Sequence, residues 1–341
     1  MSAAGPTWTP ALLAAPAGSG VVCRLCPFRC VLPDGRTGVC GVRRNHGGQL
    51  QTATRSVAVA HVDAVERKPF FHVLPGSPVL TVAGPGCTFR CTYCINHRLS
   101  QYGRDDASGW RGEPADPVAI VARARSAGAV IGMSYTEPSL ALELALELVE
   151  AAGPEGIRLL WKSNGFLTPE AADLVAPILT AVNIDVKADD EQAHRRLTGA
   201  SLGPVLDTVE RLHAAGVWIE VTTPLIPGTS DSADQLAGIA RRIARIDRDI
   251  PWHLARFSPD YRLTGQPPTS PEALARAVDV GRDAGLRYVY VERALGAPGR
   301  HTSCLTCGHV LIERDVWALA GMTLTDGACP ECGAGVPGIW R

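Results

Sequence analysis

The sequence predicts an α/β fold, a parallel sheet wrapped as a partial (β/α)6 barrel over residues 79–300. An N-terminal Cys-rich module and connector (21–78) precede it, and a C-terminal four-cysteine zinc ribbon (301–341) follows. Three observations predict this. Strand-like apolar runs alternate six times with helix-like amphipathic ones, the pattern of parallel strands joined by right-handed crossovers. The 11 cysteines fall into sets of four, three and four without remainder. Polar residues gather where each strand-like run ends, the side of a barrel on which chemistry collects.

Composition sets the outer bounds. A chain of 341 residues accommodates one large domain with small appendages, and the six strand–helix units within it fit a partial barrel better than a full eight-unit one. Its 33 basic and 34 acidic residues leave a net charge of −1, without the basic excess of a nucleic-acid binder. The most apolar helix-like run, 140–149, is short and carries Glu143 and Glu147, so no membrane span is expected. Residues 1–20 are rich in Ala, Gly and Pro and lack a basic n-region, which predicts a flexible lead-in and a cytoplasmic protein. An odd number of cysteines in clustered C-x2-C patterns argues for metal sites over disulfides.

In chain order, Cys23, Cys26, Cys30 and Cys40 come first, as C-x2-C-x3-C-x9-C among turn-forming Pro and Gly. So loop-rich a segment has little core of its own and needs a metal to organise it; zinc and an auxiliary iron–sulfur cluster both suit four thiolates. Alternation at Val57, Val59 and His61 suggests a strand, and 66–78 a connecting loop in which His72 reads as a satisfied or surface histidine.

The run 79–82 leads into Gly84-Pro85-Gly86 and then Cys87, Cys91 and Cys94, a C-x3-C-x2-C spacing. Three soft thiolates within eight residues can hold three corners of a [4Fe–4S] cube and leave one iron open to a substrate or cofactor. A polar, Gly/Pro-punctuated loop is a poor place for three cysteines that merely fill a core.

Strands are then expected at 130–134, 157–161, 182–186, 217–221 and 252–257, with helices at 117–127, 139–152, 169–179, 205–215 and 233–246. In the 139–152 stretch Leu140, Leu144 and Leu148 recur at i+4, and Gly153 offers a C-cap. A final helix and strand, 271–284 and 286–291, could extend the sheet. At the strand ends stand Tyr135-Thr136-Glu137-Pro138, Lys162-Ser163-Asn164-Gly165, Asp185 with Lys187, Thr222-Thr223-Pro224, and His253 with Arg256. Glu137 could neutralise an ammonium group, and Asp185 and Lys187 share a face. In the tail, Cys304, Cys307, Cys329 and Cys332 form two C-x2-C-G knuckles, the pattern of a closed, structural zinc site.

The cysteine triad, with aromatic Tyr93 before its last member, resembles the signature of radical S-adenosylmethionine (SAM) enzymes. The resemblance implies a TIM-like radical SAM barrel, a [4Fe–4S] cluster whose open iron chelates SAM, and reductive cleavage of SAM to a 5′-deoxyadenosyl radical. It also implies a low-potential electron donor, flavodoxin or ferredoxin. The later strand ends are similar to those of the pyruvate formate-lyase activating enzyme group. There Thr136-Glu137-Pro138 would hold the amino group of SAM, while Ser163-Asn164-Gly165 and Asp185-Val186-Lys187 would line its ribose and carboxylate, with His253 at a later strand end. Lys162 stands where that group often has an acidic residue.

Over nearly its whole length the order is similar to the radical SAM enzyme of the AmmeMemoRadiSam system. The matching features are the Cys-rich head with Arg43 and Gly47-Gly48, Lys68-Pro69, Pro75-Gly76-Ser77, Asn96, Ser100-Gln101, His253-Leu254-Ala255-Arg256-Phe257 and the terminal ribbon. That likeness implies AMMECR-type and Memo-type partner proteins. Ile95 and His97 depart from it, where Gln and Trp are expected.

These readings lead to an enzyme that abstracts hydrogen from a peptide or protein residue, admitted through the side opening of a partial barrel, with the tail helping to present it. A glycyl-radical-enzyme activase is the alternative within enzymes. A non-catalytic zinc/iron–sulfur binding module is the rival from another class, and it leaves the three-ligand loop unexplained.

Overall fold

In the computed structural model, which describes residues 5–104, 109–292 and 299–341, eight strands form one sheet. They are β1 (Val59–Ala64), β2 (Pro78–Ala83), β3 (Val130–Met133), β4 (Leu159–Ser163), β5 (Ala181–Asp185), β6 (Trp218–Leu225), β7 (Trp252–Arg256) and β8 (Val289–Glu292). They lie side by side in chain order. The strands β2 to β8 are parallel, and β1 pairs antiparallel with β2 at the edge. The six expected strands are thus joined by the final one, β8, and by the Val59 strand.

The crossovers are α1 (Pro117–Ser126), α2 (Leu142–Ala152), α3 (Pro169–Val175), α4 (Glu191–Thr198), α5 (Gly203–Ala214), α6 (Ala233–Ile246) and α7 (Pro271–Asp283). Three begin with a cap–proline pair. Asp116, Thr168 and Ser270 each accept a hydrogen bond from the N–H three residues on, and a proline with pre-set φ occupies the first turn. Helix α2 starts later than its leucine periodicity suggests, because Pro138–Ala141 forms a tighter 3-10 turn. Helix α4 has no counterpart in the sequence reading. It is short and mostly polar, starts at the Asp190 cap and stops at Gly199 with φ 76°.

Period-2 alternation sends one set of strand residues inward, in layers. Leu160, Ala181 and Trp218 lie lowest, and form an apolar plug with Phe70, Val73, Leu74 and Ile339. Lys162, Asn183 and Glu220 pair in the next row; Asp185 then pairs with Thr222, Thr222 with His253 and His253 with Tyr290, and Ala255 and Glu292 stand nearest the strand ends. The outward residues, among them the fully buried Trp161 and Trp252, join the helices in the main core.

The lead-in expected to be flexible over 1–20 is corrected by the structure. Thr9–Pro10 pairs with Gln49–Thr52, and Ala14–Ala17 with Gly20–Cys23; only residues 1–4 of that stretch lie outside the described residues. Its Ala/Gly/Pro composition offers no periodicity, but a strand some forty residues on supplies backbone hydrogen bonds to Thr9–Pro10, and a short hairpin supplies them to Ala14–Ala17.

The tail forms a three-stranded antiparallel sheet, Thr302–Ser303, Val310–Arg314 and Leu319–Met322. It packs on Phe71, Tyr288 and Tyr290, and Ile339 exchanges backbone hydrogen bonds of 2.7 Å with His72 and Leu74. Most of the tail therefore covers the sheet and its connector. The 315–317 loop turns toward the connector, where Trp317 lies 4.9 Å under the Arg67 guanidinium.

Candidate active site

A cavity of about 350 Å³ opens at the C-terminal ends of β2 to β8. Each strand end contributes to it: the cysteine loop after β2, 134–137 after β3, 162–164 at β4, Asp185 and Lys187 at β5, Thr222 and Pro224 at β6, 255–258 at β7 and Glu292 at β8. Arg67 and Pro69 of the connector complete the wall.

The cysteine loop follows directly from β2. Gly86 adopts φ 103°, and a side chain there would come within 2.8 Å of Val42, so the loop can lie against the head only with glycine at this position. Cys87, Cys91 and Cys94 are free thiols that all face the cavity. Their sulfurs receive polar contacts: the Phe89 N–H donates to Cys87 at 3.3 Å, Asn164 Nδ2 donates to Cys87 at 3.7 Å, and Cys94 lies 3.2 Å from the Ser100 hydroxyl. Such donors stabilise thiolates. Burial pushes the Cys91 thiol up to about 12, and the Lys187 cation pulls against it. Three thiolates opening onto a polar cavity suit the cluster that their spacing implies, with one corner free for a ligand.

Glu137 is buried, and its carboxylate is engaged by the protein itself. It accepts from Ser163 Oγ at 2.8 Å, the Asn164 N–H at 2.9 Å and the Ser139 N–H at 3.1 Å. It thus fastens the β3 and β4 turns together, and burial raises its pKa despite these donors. Thr136 Oγ1 donates to the Gly84 carbonyl at 2.8 Å, tying the same turn to the cysteine loop. Tyr135, at φ 71°, is held in that strained conformation by Lys68, 2.8 Å from its hydroxyl, and by the stacked His61 ring.

Lys162 and Lys187 flank Asp185 at 2.5 and 2.8 Å, and Lys162 also donates to Asn183 at 2.7 Å. Burial disfavours the Asp185 charge, but the two lysines outweigh it and hold the carboxyl down to about 2. Burial likewise opposes the charge on Lys187; Asp185 more than reverses this, and the pKa is raised. At Lys162 burial prevails and the pKa is lowered. Lys187 also lies 5.7 Å over the Tyr93 ring.

Of the strand-end residues expected at the site, Tyr93, Thr136, Glu137, Ser163, Asn164, Asp185 and Lys187 do line the cavity. His253 does not. It is fully buried one layer below Ala255, with Nε2 2.5 Å from Glu220 Oε2 and its ring edge-on to Phe71 at 4.8 Å. A histidine in an apolar strand looks like a site residue when its buried carboxylate partner is out of view. Thr222 and Pro224, named among the strand-end residues, line the cavity as well, whereas Glu292 and Arg67 line it unforeseen. Polarity at a strand's end was the available signal for Glu292.

Glu220 also accepts from the backbone N–H groups of Phe71 and His72, at 3.0 and 2.9 Å. His72 Nδ1 meets the Pro337 carbonyl at 2.6 Å, so it carries the proton, and Nε2 accepts from the Tyr290 hydroxyl at 2.6 Å. Burial lowers its pKa from 6.5 to about 4, against the pull of Glu220 and with Arg314 and His253 adding to the fall. The unfolded chain therefore binds this proton more readily. Stability is complete above about pH 6.5 and falls, by roughly 3 kcal/mol, as the pH drops toward 4. Melting temperatures followed across that range should show a steeper acid loss for wild type than for His72→Gln; parallel curves would remove His72 from the effect.

The family model of the Radical SAM superfamily matches residues 81–240, the span from β2 into α6. An uncharacterized protein of Methanocaldococcus jannaschii is 33% identical over 317 residues, covering 92% of this chain and 94% of that protein. The pyruvate formate-lyase 1-activating enzyme of Escherichia coli is 24% identical over 236 residues, 62% of this chain and 94% of the enzyme. Among solved structures, Streptococcus suis SuiB aligns with a TM-score of 0.50 at 13% identity, covering 67% of this chain and 51% of its own. The chain belongs to the radical SAM superfamily, and it is an enzyme. Among the described residues no helix is long and apolar enough to cross a membrane.

The four tail cysteines are arranged differently from the central three. Their sulfurs all lie within 4.8 Å of one another, with Cys304–Cys332 at 3.5 Å and Cys307–Cys329 at 3.6 Å. Thiolates about 2.3 Å from one tetrahedral ion stand about 3.8 Å apart, so these four suit a single ion.

Proposed function

We propose that this protein is the radical SAM enzyme of an AmmeMemoRadiSam-type system, acting on a peptide or protein residue. The observation that carries the reading is the three-thiol loop facing a cavity walled by charged and hydroxyl groups from every parallel strand end. When bound, the [4Fe–4S] cluster and SAM would supply one-electron cleavage of the sulfonium bond and a 5′-deoxyadenosyl radical. The chain's own part is to bind and orient. Lys187 and Lys162 offer cations to a carboxylate, and Asp185 accepts from ribose hydroxyls or an ammonium. Thr136, Ser163 and Asn164 supply neutral hydrogen bonds, and Tyr93 supplies a ring beside them. Glu137 holds two of these turns at a fixed separation, which favours a pre-formed site.

The substrate class is supported by the cavity's rim. Ile95 is 53% exposed there, and the 258–270 loop is pinned against the cysteine loop by an Arg262 N–H bond to the Thr92 carbonyl and by Tyr261 stacked on His97 at 4.5 Å. That leaves an apolar edge beside an ordered loop, suited to an extended segment. Activation of a glycyl-radical enzyme is a second reading, supported by the likeness to the pyruvate formate-lyase 1-activating enzyme. The electron would come from flavodoxin or ferredoxin in the cytoplasm.

The tail cysteines would hold structural zinc, which keeps the cover over Phe71 and Tyr290 folded. A chelator strong enough to strip zinc should lower the melting temperature while leaving the central iron in place. An unchanged melting temperature after zinc loss would contradict that role.

The function is tested by incubating anaerobically reconstituted protein with SAM and a low-potential reductant, then measuring 5′-deoxyadenosine alone, with AMMECR-type and Memo-type proteins, or with a glycyl-radical enzyme. Stimulation by the first pair supports the proposal, and a glycyl radical formed on the third supports the alternative. No 5′-deoxyadenosine under any condition would sink both.

A further inference from the structure

The head cysteines are built unlike those of the tail. Cys23 ends the strand Gly20–Cys23, Cys26 and Cys30 lie in the loop after it, and Cys40 precedes the strand Arg43–His46. All four are free thiols around one cavity, closed on its other sides by Leu25, Leu32 and Leu140. That cavity has about 10 Å³ of free space, room for one water-sized sphere. Among the described residues, the tail is the one place where three or more such ligand atoms lie within 4.8 Å of one another, so the head sulfurs gape where the tail sulfurs close.

We propose that Cys23, Cys26, Cys30 and Cys40 hold a second iron–sulfur cluster, a [4Fe–4S] cube with four thiolate ligands, and not zinc. A cube carries its thiolates on four separate irons around a central body, which needs the space these sulfurs surround. Its place in the fold is beside the central loop. Arg104 donates to the carbonyls of Cys87 at 2.8 Å and Phe89 at 2.7 Å, and through Nε to that of Val39 at 3.1 Å, clamping the strand of chain before Cys40 to the one after Cys87. A side chain at Gly86 would come within 3.4 Å of the Cys40 carbonyl. Phe28 and Phe89 both pack on Phe166, with ring centroids 5.1 and 5.6 Å from it. Arg43, nearly fully buried, reaches Cys23 Sγ at 4.0 Å while paired to Glu143 at 2.6 Å, so a cation already stands next to this thiolate set.

This inference goes beyond the proposed function, and its test does not depend on SAM chemistry. Full-length protein carrying Cys87→Ala, Cys91→Ala and Cys94→Ala together would be purified anaerobically, reconstituted with iron and sulfide, and analysed for metals and by Mössbauer spectroscopy. About four irons with the signature of an all-thiolate cube, alongside about one zinc, are expected; adding Cys23→Ala and Cys26→Ala should remove that iron. Should the triple variant not fold, wild type decides: about eight irons to one zinc supports the second cluster, whereas about four irons to two zincs overturns it. Iron in the triple variant that survives loss of Cys23 and Cys26 would overturn it too.

Discussion

Cys91→Ala should reduce SAM cleavage to background and remove the iron bound at the central site, with tail zinc retained. Cys91 is one of only three thiols on the cavity wall and is nearly buried, so no neighbouring cysteine can replace it. Two thiolates cannot hold a cube that already lacks its fourth protein ligand. Cys304 and Cys329 of the tail belong to a separate cluster of buried residues around Phe71 and Tyr290, which the substitution leaves untouched. Iron, zinc and 5′-deoxyadenosine measured on one preparation give the outcome. Loss of zinc together with iron would show that the sites are not independent.

The second large effect is expected at Asp185, which accepts from two lysines in a partly buried setting. Asp185→Ala leaves both cations facing each other without their shared carboxylate. Each hydrogen bond to a charged group is worth roughly 1.5–3 kcal/mol, so the variant should lose about 3 kcal/mol of stability, the lower end for a buried pair because Asp185 retains some exposure. SAM affinity should fall tenfold to a hundredfold, as one such hydrogen bond implies. Asp185→Asn keeps an acceptor for Lys162 and should recover part of the stability but not the affinity. Denaturant midpoints and equilibrium SAM binding separate the two losses; unchanged affinity in both variants would remove Asp185 from the SAM site. Glu137→Ala differs in kind, because its carboxylate already binds three protein donors, and it should loosen the turns at 134–139 and 163–164.

The ion network beneath the cavity bears on how the tail can be tested. Arg314 lies 4.2 Å over Phe71 and donates to its carbonyl at 2.5 Å, so deleting 303–341 would uncover the connector that supports the sheet. Trp317 is the better probe of substrate presentation. It is 39% exposed, and its ring lies 4.9 Å from the Arg67 guanidinium, on the cavity wall.

What the sequence determined by itself was local or periodic. The strand-and-helix alternation, the cap–proline starts and the triad on a Gly/Pro loop depend on residues a few positions apart, and each appears in the structure where its own chemistry put it. Polar residues inside apolar strands were legible in the same way, because period 2 places Asp185 and Lys187 on one face. Tertiary structure decided what depends on partners distant in sequence. Thr9 becomes a strand through Thr52, and His72 is fixed by Pro337, 265 residues away. His253 left the cavity because Glu220 waits one strand over, inside the sheet. The two four-cysteine sets were equivalent as lists of ligands. Chain packing set the tail sulfurs 3.5 and 3.6 Å apart in two pairs and placed the head thiols around a small cavity, a difference that their spacings in sequence do not carry.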